Sequence, residues 1–150
     1  MYSRILVPLD GSETSERGLR EAVRLAARHD VTLVLLHVID DFPTVRQLAA
    51  SEPIDRLRAA RREAGEALVS RGEQVAHASD LKTEPIVCFA IESVPDSIVE
   101  TALKKDCELI VLGTHGRSGW RRAALGSVAE QVSRHSAVPV MLVPPAGVAH

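Results

Sequence analysis

Leu109-Ile110-Val111-Leu112-Gly113-Thr114-His115-Gly116, running on through Arg117-Ser118-Gly119-Trp120-Arg121-Arg122 to Gly126-Ser127-Val128, is the stretch on which the fold turns. Its four apolar residues suit a strand better than a helix. Glycines follow, and Val128 and Val132 then recur at helical spacing, so the stretch reads strand, loop, helix. Outward from it the same unit repeats. Ile5-Leu6-Val7-Pro8-Leu9, Val31 to Ile39, Ile86-Val87-Cys88-Phe89-Ala90 and Val138 to Val143 are further short apolar runs. All are continuous rather than alternating, as strands covered on both faces require. Between them Leu19, Ala22, Val23, Ala26 and Ala27 recur at helical spacing, as do Leu57, Ala60, Ala64, Ala67 and Leu68, and then Ile98, Val99, Ala102 and Leu103. The order βαβαβαβαβ predicts an α/β domain with a five-stranded parallel sheet and helices on both faces.

Capping residues mark the helix starts. Ser12 precedes the first, with Glu13 and Glu16 in its first turn where the helix dipole favours negative charge. Ser93-Val94-Pro95-Asp96 and Ser127-Val128-Ala129-Glu130 read as capping boxes for the third and fourth helices, and Lys104 and Lys105 close the third. Proline orders the strands. Pro85 is expected at the start of the third strand and Pro139 near the start of the fifth. Because proline cannot donate to a ladder, both strands belong at sheet edges. With right-handed crossovers the strand order is then 3-2-1-4-5. The order reverses between strands 1 and 4, and ligands of open α/β sheets bind in the crevice beyond such a reversal.

The 150 residues fit one domain, taken as 1–145, with a frayed tail at 146–150. A formal net charge of −2 supplies no global field for nucleic acid or acidic membranes. No apolar run reaches the roughly 20 residues a membrane span needs, and the N-terminal run is too short and too early for a signal peptide; the expected location is the cytoplasm. Cys88 and Cys107 match no metal or redox spacing and read as small apolar residues. Asp40 to Pro53 has no clear period and is either a lid or an irregular linker.

The loop after strand 4 carries the chemistry. Four glycines in the fourteen residues from Gly113 to Gly126 let backbone approach a ligand closely. The following helix offers unpaired N–H groups to phosphate, and Arg117, Arg121 and Arg122 add positive charge. A mobile glycine loop with a solvated basic face is the alternative. The loop is neither a Walker A loop, which ends in Gly-Lys-Ser/Thr, nor a dinucleotide fingerprint. Across the expected crevice, Pro8-Leu9-Asp10-Gly11-Ser12 brings a carboxylate that can meet a ribose hydroxyl or a phosphate-bound metal, or else only shapes the turn before Ser12.

The spacing Gly113-x2-Gly116-x9-Gly126-Ser127 resembles the ATP-binding motif of the universal stress protein family. By chance a chain of this length contains it on the order of once in two hundred. Ile5 to Ser12, Glu108 to Gly113 and Val138 to Val143 resemble the same family, so the resemblance covers essentially the whole chain. It implies a Rossmann-like, HUP-type sheet of the order given above. It also implies roles. Asp10 would meet the ribose or a phosphate-bound Mg or Mn ion. Pro8 and Leu9 would line the purine side, and Val38 would offer backbone to the adenine edge. Leu112 and Gly113 would lie under the nucleoside. Gly116, Gly126, Ser127 and Val128 would surround the phosphates with Arg117 nearby. Glu92 or a neighbour stands where the family often has glycine, which leaves the third βα loop open.

The four aromatic residues, Tyr2, Phe42, Phe89 and Trp120, all fall outside the proposed adenine site, so base selectivity is expected to be modest. His115 lies inside the phosphate loop, either on a phosphate or filling the loop. His37 reads as a satisfied core residue. No histidine pair has zinc spacing. With no nucleophile–base pair apparent, the reading is an ATP-binding module, with AMP or ADP as alternatives and at most slow hydrolysis. The alternatives are an ATP hydrolase or nucleotidyl-transfer enzyme on the same fold, and a dimeric family member without nucleotide. Homodimerisation is expected through the apolar edge Val138 to Val143.

Overall fold

The computed structural model describes residues 1–41, 53–115 and 125–146. Among the described residues five strands, β1 (Arg4–Pro8), β2 (Thr32–Ile39), β3 (Lys82–Phe89), β4 (Leu109–Gly113) and β5 (Val140–Val143), alternate with four helices, α1 (Glu13–Ala26), α2 (Pro53–His77), α3 (Val94–Lys104) and α4 (Ser127–His135). All pairings are parallel and the sheet order is β3-β2-β1-β4-β5, as the proline argument predicts.

The continuous apolar runs divide by alternation into two cores. Ile5, Val7, Leu33, Leu35, Leu109 and Val111 face α1 and α2. Leu6, Val34, Leu36, Ile110 and Leu112 face the other side, where Ile98 and Ala102 of α3 and Ala129 and Val132 of α4 close over them. The central strands are thus apolar on both faces through their middle residues because each face is covered.

Several local expectations shift. Pro85 lies inside β3 rather than at its start, opposite Leu35. Because β3 is an edge strand, the missing N–H can face outward without breaking the ladder. Pro139 just precedes β5, and its carbonyl accepts from Ile110 N–H at 3.0 Å. Helix α2 buries Gly65, Val69, Gly72 and Ala76, while Ala60, Ala64 and Ala67 are exposed. The alanine periodicity therefore traces the outer face. The inner face was hidden because two of its residues are glycines, which carry no hydropathy signal yet let the helix approach the sheet. A Cβ on Gly72 would lie 2.9 Å from Leu9 Cδ1. The expected lid at 40–53 falls mostly on residues 42–52, outside the described residues, as does most of the expected tail.

Ser12 and Ser93 cap α1 and α3 as expected, accepting from Ser15 N–H at 3.2 Å and Asp96 N–H at 3.2 Å. Below the sheet, Glu84 of β3 binds both Arg4 of β1 and Lys105 Nζ, the latter at 2.8 Å, and so straps three elements together. These two cations hold the Glu84 carboxyl below the usual glutamate range. Burial pushes the Cys107 thiol up to about 11 and raises that of Cys88 as well. Both stay protonated, as two residues used for packing should.

Candidate functional site

The crevice arises from a split in the sheet. β1 pairs with β2 along its whole length, from Arg4 opposite Thr32 to Pro8 opposite Leu36. It pairs with β4 only at Ile5–Leu109 and Leu6–Ile110. Above that point β1 and β4 separate, and a cavity of about 190 Å³ opens between them. It sits at the strand-order reversal, where geometry splays neighbouring βα connections to opposite faces.

Its floor is aliphatic: Leu36 and Val38 from β2, Val94 and Ile98 from α3, and Leu112 from β4. Its rim is polar: Asp10, Ser12, Ser15, His115 and Ser127. Ten of the twelve residues expected from the sequence line it: Pro8, Leu9, Asp10, Val38, Leu112, Gly113, His115, Gly126, Ser127 and Val128. Gly116 and Arg117 lie outside the described residues. Ser12, Ser15, Leu36, Val94, Ile98 and Ala129 also line it and were not anticipated as site residues. Leu36 was legible, since it lies two residues before Val38 on the same strand face. Val94 and Ile98 were not, because only the packing of α3 over the sheet end brings them there.

The helix after the glycine loop begins differently from expectation. Gly126 is the N-cap and Ser127 is the first helical residue, so Ser127 and Glu130 do not form a capping box. The first intrahelical bond is Glu130 N–H to Gly126 O at 2.9 Å, and no side chain caps the end. The amides of Ser127, Val128 and Ala129 therefore lack intrahelical acceptors, and all three residues line the cavity. Helix α1 directs its start at the same space, through Ser12 and Ser15. Two positive dipole ends thus converge on one apolar-floored cavity.

Two motif glycines have packing reasons. A Cβ on Gly113 would lie 2.8 Å from Thr14 C and 2.9 Å from Thr14 O. One on Gly126 would lie 2.7 Å from Thr114 O, which already accepts from Gly126 N–H at 2.7 Å. Close approach of α1 to β4, and of α4 to the strand exit, shapes the cavity wall. Thr14 Oγ1 also donates to the His115 carbonyl, tying α1 to the loop.

His115 is 6% exposed. Its Nδ1 lies 2.9 Å from Thr114 Oγ1, and its Nε2 is buried without a partner among the described residues. A buried polar atom without a partner costs about 1–3 kcal/mol, and the residue that carries it lines the cavity. Asp10 shapes the turn and also lines the cavity. Its Oδ1 accepts from Ser12 N–H at 2.8 Å and shapes the turn, completed by Gly11 at φ +83°, while the side chain still lines the cavity. His37 is half-buried rather than fully in the core. Its Nδ1 lies 2.7 Å from Leu9 O, which satisfies it.

Ladder phase exposes one further backbone group. Leu9 N–H bonds to Leu36 O at 2.7 Å on the β1 side of β2, and Ala90 N–H to Ile39 O at 2.8 Å on the β3 side. Val38, two residues beyond Leu36, therefore turns its backbone N–H and C=O toward β1, just past the point where β1 ends. Among the described residues no three His, Cys, Asp or Glu side chains are grouped to hold a metal ion, and no described helix is long and apolar enough to cross a membrane.

The chain as a whole is similar to known proteins. Universal stress protein MJ0531 of Methanocaldococcus jannaschii is 33% identical over 144 residues, covering 95% of this chain and 82% of that protein. The structure of MJ0577 from the same organism is 28% identical with a TM-score of 0.84, over 96% of each chain. A universal stress protein from Archaeoglobus fulgidus, solved in complex with dAMP, shares the fold with a TM-score of 0.65. It is 23% identical, and the likeness covers 95% of this chain and 98% of that one. The sequence profile of the Universal stress protein family matches residues 1–144, and the chain belongs to that family.

Proposed function

We propose that the β1–β4 crevice binds an adenine nucleotide, ATP first with AMP or ADP as alternatives, and that the protein acts as a regulatory binding module with at most slow hydrolysis. The observation that carries this reading is that the first residues of α4, Ser12 and Ser15 at the start of α1, Asp10 and His115 all line one aliphatic-floored cavity. Leu36, Val38 and Leu112 suit a purine, and the outward-turned backbone of Val38 suits its hydrogen-bonding edge. Asp10 suits a ribose hydroxyl. The amides of Ser127 and Val128 suit phosphate, with Gly116 and Arg117 assigned to the same side by the motif. The A. fulgidus protein of the same fold holds dAMP; for this chain the weight rests on the crevice.

A Mg or Mn ion would be held chiefly by the phosphates, with Asp10 as one oxygen ligand. Its free lone pairs fit that role, and the lack of other grouped ligands among the described residues leaves the ion dependent on the nucleotide. Turnover needs a base held against an attacking water. Asp10 is committed through Oδ1 to Ser12 N–H, and the His115 ring has Thr114 Oγ1 beside Nδ1. Among the described residues neither is oriented by a second charged group, which favours binding over catalysis.

Homodimerisation through β5 belongs to the same reading. Pro139 O and Val143 O accept from Ile110 and Thr114 of β4. The alternate residues Val140 and Leu142 therefore turn their backbone groups outward along an edge that no proline interrupts. The β3 edge, by contrast, carries Pro85 midway. A cytoplasmic, stress-linked role comes with the family reading.

Equilibrium binding of ATP, ADP, AMP and GTP tests the proposal, with Gly116→Val as control. Expected are saturable binding of adenine nucleotides, loss of it in the control, and turnover too slow to account for a catalytic role. Fast turnover abolished by Asp10→Ala with binding retained would overturn the assignment as a binding module.

A further inference from the structure

A second cavity, of about 440 Å³, opens between α1 and α2 on the face of the sheet away from α3 and α4. It exists because α2 packs through small residues. Gly65, Val69, Gly72 and Ala76 draw the helix onto the sheet, and the larger side chains Leu68 and Val75 are left beside the gap to α1. Val75, an aliphatic residue directly before the buried Ala76, is 43% exposed. Leu9 and Leu19 complete an apolar floor.

The rim is cationic. Arg20 and Arg71 border the gap from opposite helices, against a single carboxylate, Glu16. Arg20 meets Glu16 only at 3.8 Å, with both side chains more than half exposed, a pair worth little in water. Arg71 has no ion-pair partner among the described residues. Apolar floor and unbalanced guanidinium groups together define a complementary occupant. We infer that this groove is a second ligand site, distinct from the nucleotide crevice, and that it takes a small amphipathic anion: an alkyl or aromatic body over Leu19, Leu68 and Val75, and a carboxylate between Arg20 and Arg71. The volume lies in the range of small-molecule sites, roughly 300–1,000 Å³, and a planar guanidinium pairs well with a carboxylate. Leu9 and Ser15 line both cavities, so the two sites share a wall.

Decanoate is the probe, titrated into the full chain without nucleotide, so that the outcome is independent of what fills the crevice. Binding is followed by calorimetry and by methyl NMR of Leu19, Leu68 and Val75. Saturable binding is expected, with shifts at those three residues and at least tenfold weaker affinity in Arg20→Ala/Arg71→Ala. Both arginines are exposed, so the variant keeps its fold, checked by an unchanged thermal midpoint. Decanol, which lacks the charge, is expected to bind at least tenfold more weakly. Absence of saturable binding, shifts confined to other residues, or equal affinity in the arginine variant would each overturn the site. Shifts that depend on protein concentration would instead assign the groove to a second copy of the chain, and overturn the small-anion assignment.

Discussion

Replacing Gly113 by alanine adds one methyl group at the point where α1 crosses the end of β4. The new Cβ would sit 2.8 Å from Thr14 C and 2.9 Å from both Thr14 Cβ and Thr14 O. These are backbone atoms and the root of a side chain, so no rotamer change relieves the overlap. The helix end must move, yet it is held by the Ser12 cap and by the bond from Thr14 Oγ1 to the His115 carbonyl. Overpacking of this kind costs about 1–3 kcal/mol. Restricting the unfolded chain returns about 0.4–1 kcal/mol. The net loss is about 1–2 kcal/mol, and at this chain length each kcal/mol lowers the midpoint by roughly 2–4 °C. Thermal and urea denaturation of Gly113→Ala should therefore show a midpoint lower by about 2–8 °C with an unchanged m-value. ATP affinity should fall too, because the displaced elements carry Asp10, Ser12 and His115. A midpoint equal to or above that of the wild type would refute the packing explanation for this glycine.

Other consequences are equally specific. His115→Ala removes a polar side chain that lines the cavity, and should weaken ATP by about tenfold in calorimetry, the lower end of a hydrogen bond to a charged group; unchanged affinity would remove His115 from the site. Because Glu84 is held below its ordinary range by Lys105 and Arg4, its stabilising contribution is present above the unfolded glutamate value of about 4.3 and is lost as pH falls through the lower folded-state value. Glu84→Gln should thus cost about 0.5–1 kcal/mol at pH 7 and approach wild-type stability in strong acid, as read from urea midpoints. Met141→Asp places charge on the exposed β5 edge and should turn a micromolar dimer into a monomer by sedimentation; a wild-type monomer would refute the edge assignment. With no Phe, Tyr or Trp among the described residues that line the crevice, ATP and GTP should compete within about an order of magnitude, because backbone contacts alone are worth about 1 kcal/mol each.

The architecture was legible because its determinants are local. Strand runs such as Ile5–Leu9 and Leu109–Leu112 are apolar at every position, and Pro85 and Pro139 reported which strands could be edges. Those signals sufficed for the order β3-β2-β1-β4-β5. Most of the crevice was legible for a related reason: residues at the ends of β1 and β4 are brought together by topology, which placed Pro8, Asp10 and Gly113 on one cavity, while Val38 came from the family resemblance. What sequence concealed depends on contacts between elements. Ser127 resembled a cap, but Gly126 must fit under Thr114 O, so the helix begins one residue earlier and its amides stay open. Ala60, Ala64 and Ala67 mimicked a buried face while Gly65 and Gly72 formed the real one. Val94 and Ile98 reach the cavity only because α3 packs over that face of the sheet, and no spacing within the chain records that packing.

The central claim is that the crevice holds an adenine nucleotide. Native mass spectrometry of the purified full chain, followed by release and identification of any bound small molecule, tests it most directly. ATP, ADP or AMP carried at one per chain, and lost in Gly116→Val, is the predicted result. A chain that carries no nucleotide, and binds none of the three when they are added back at millimolar concentration, would contradict it.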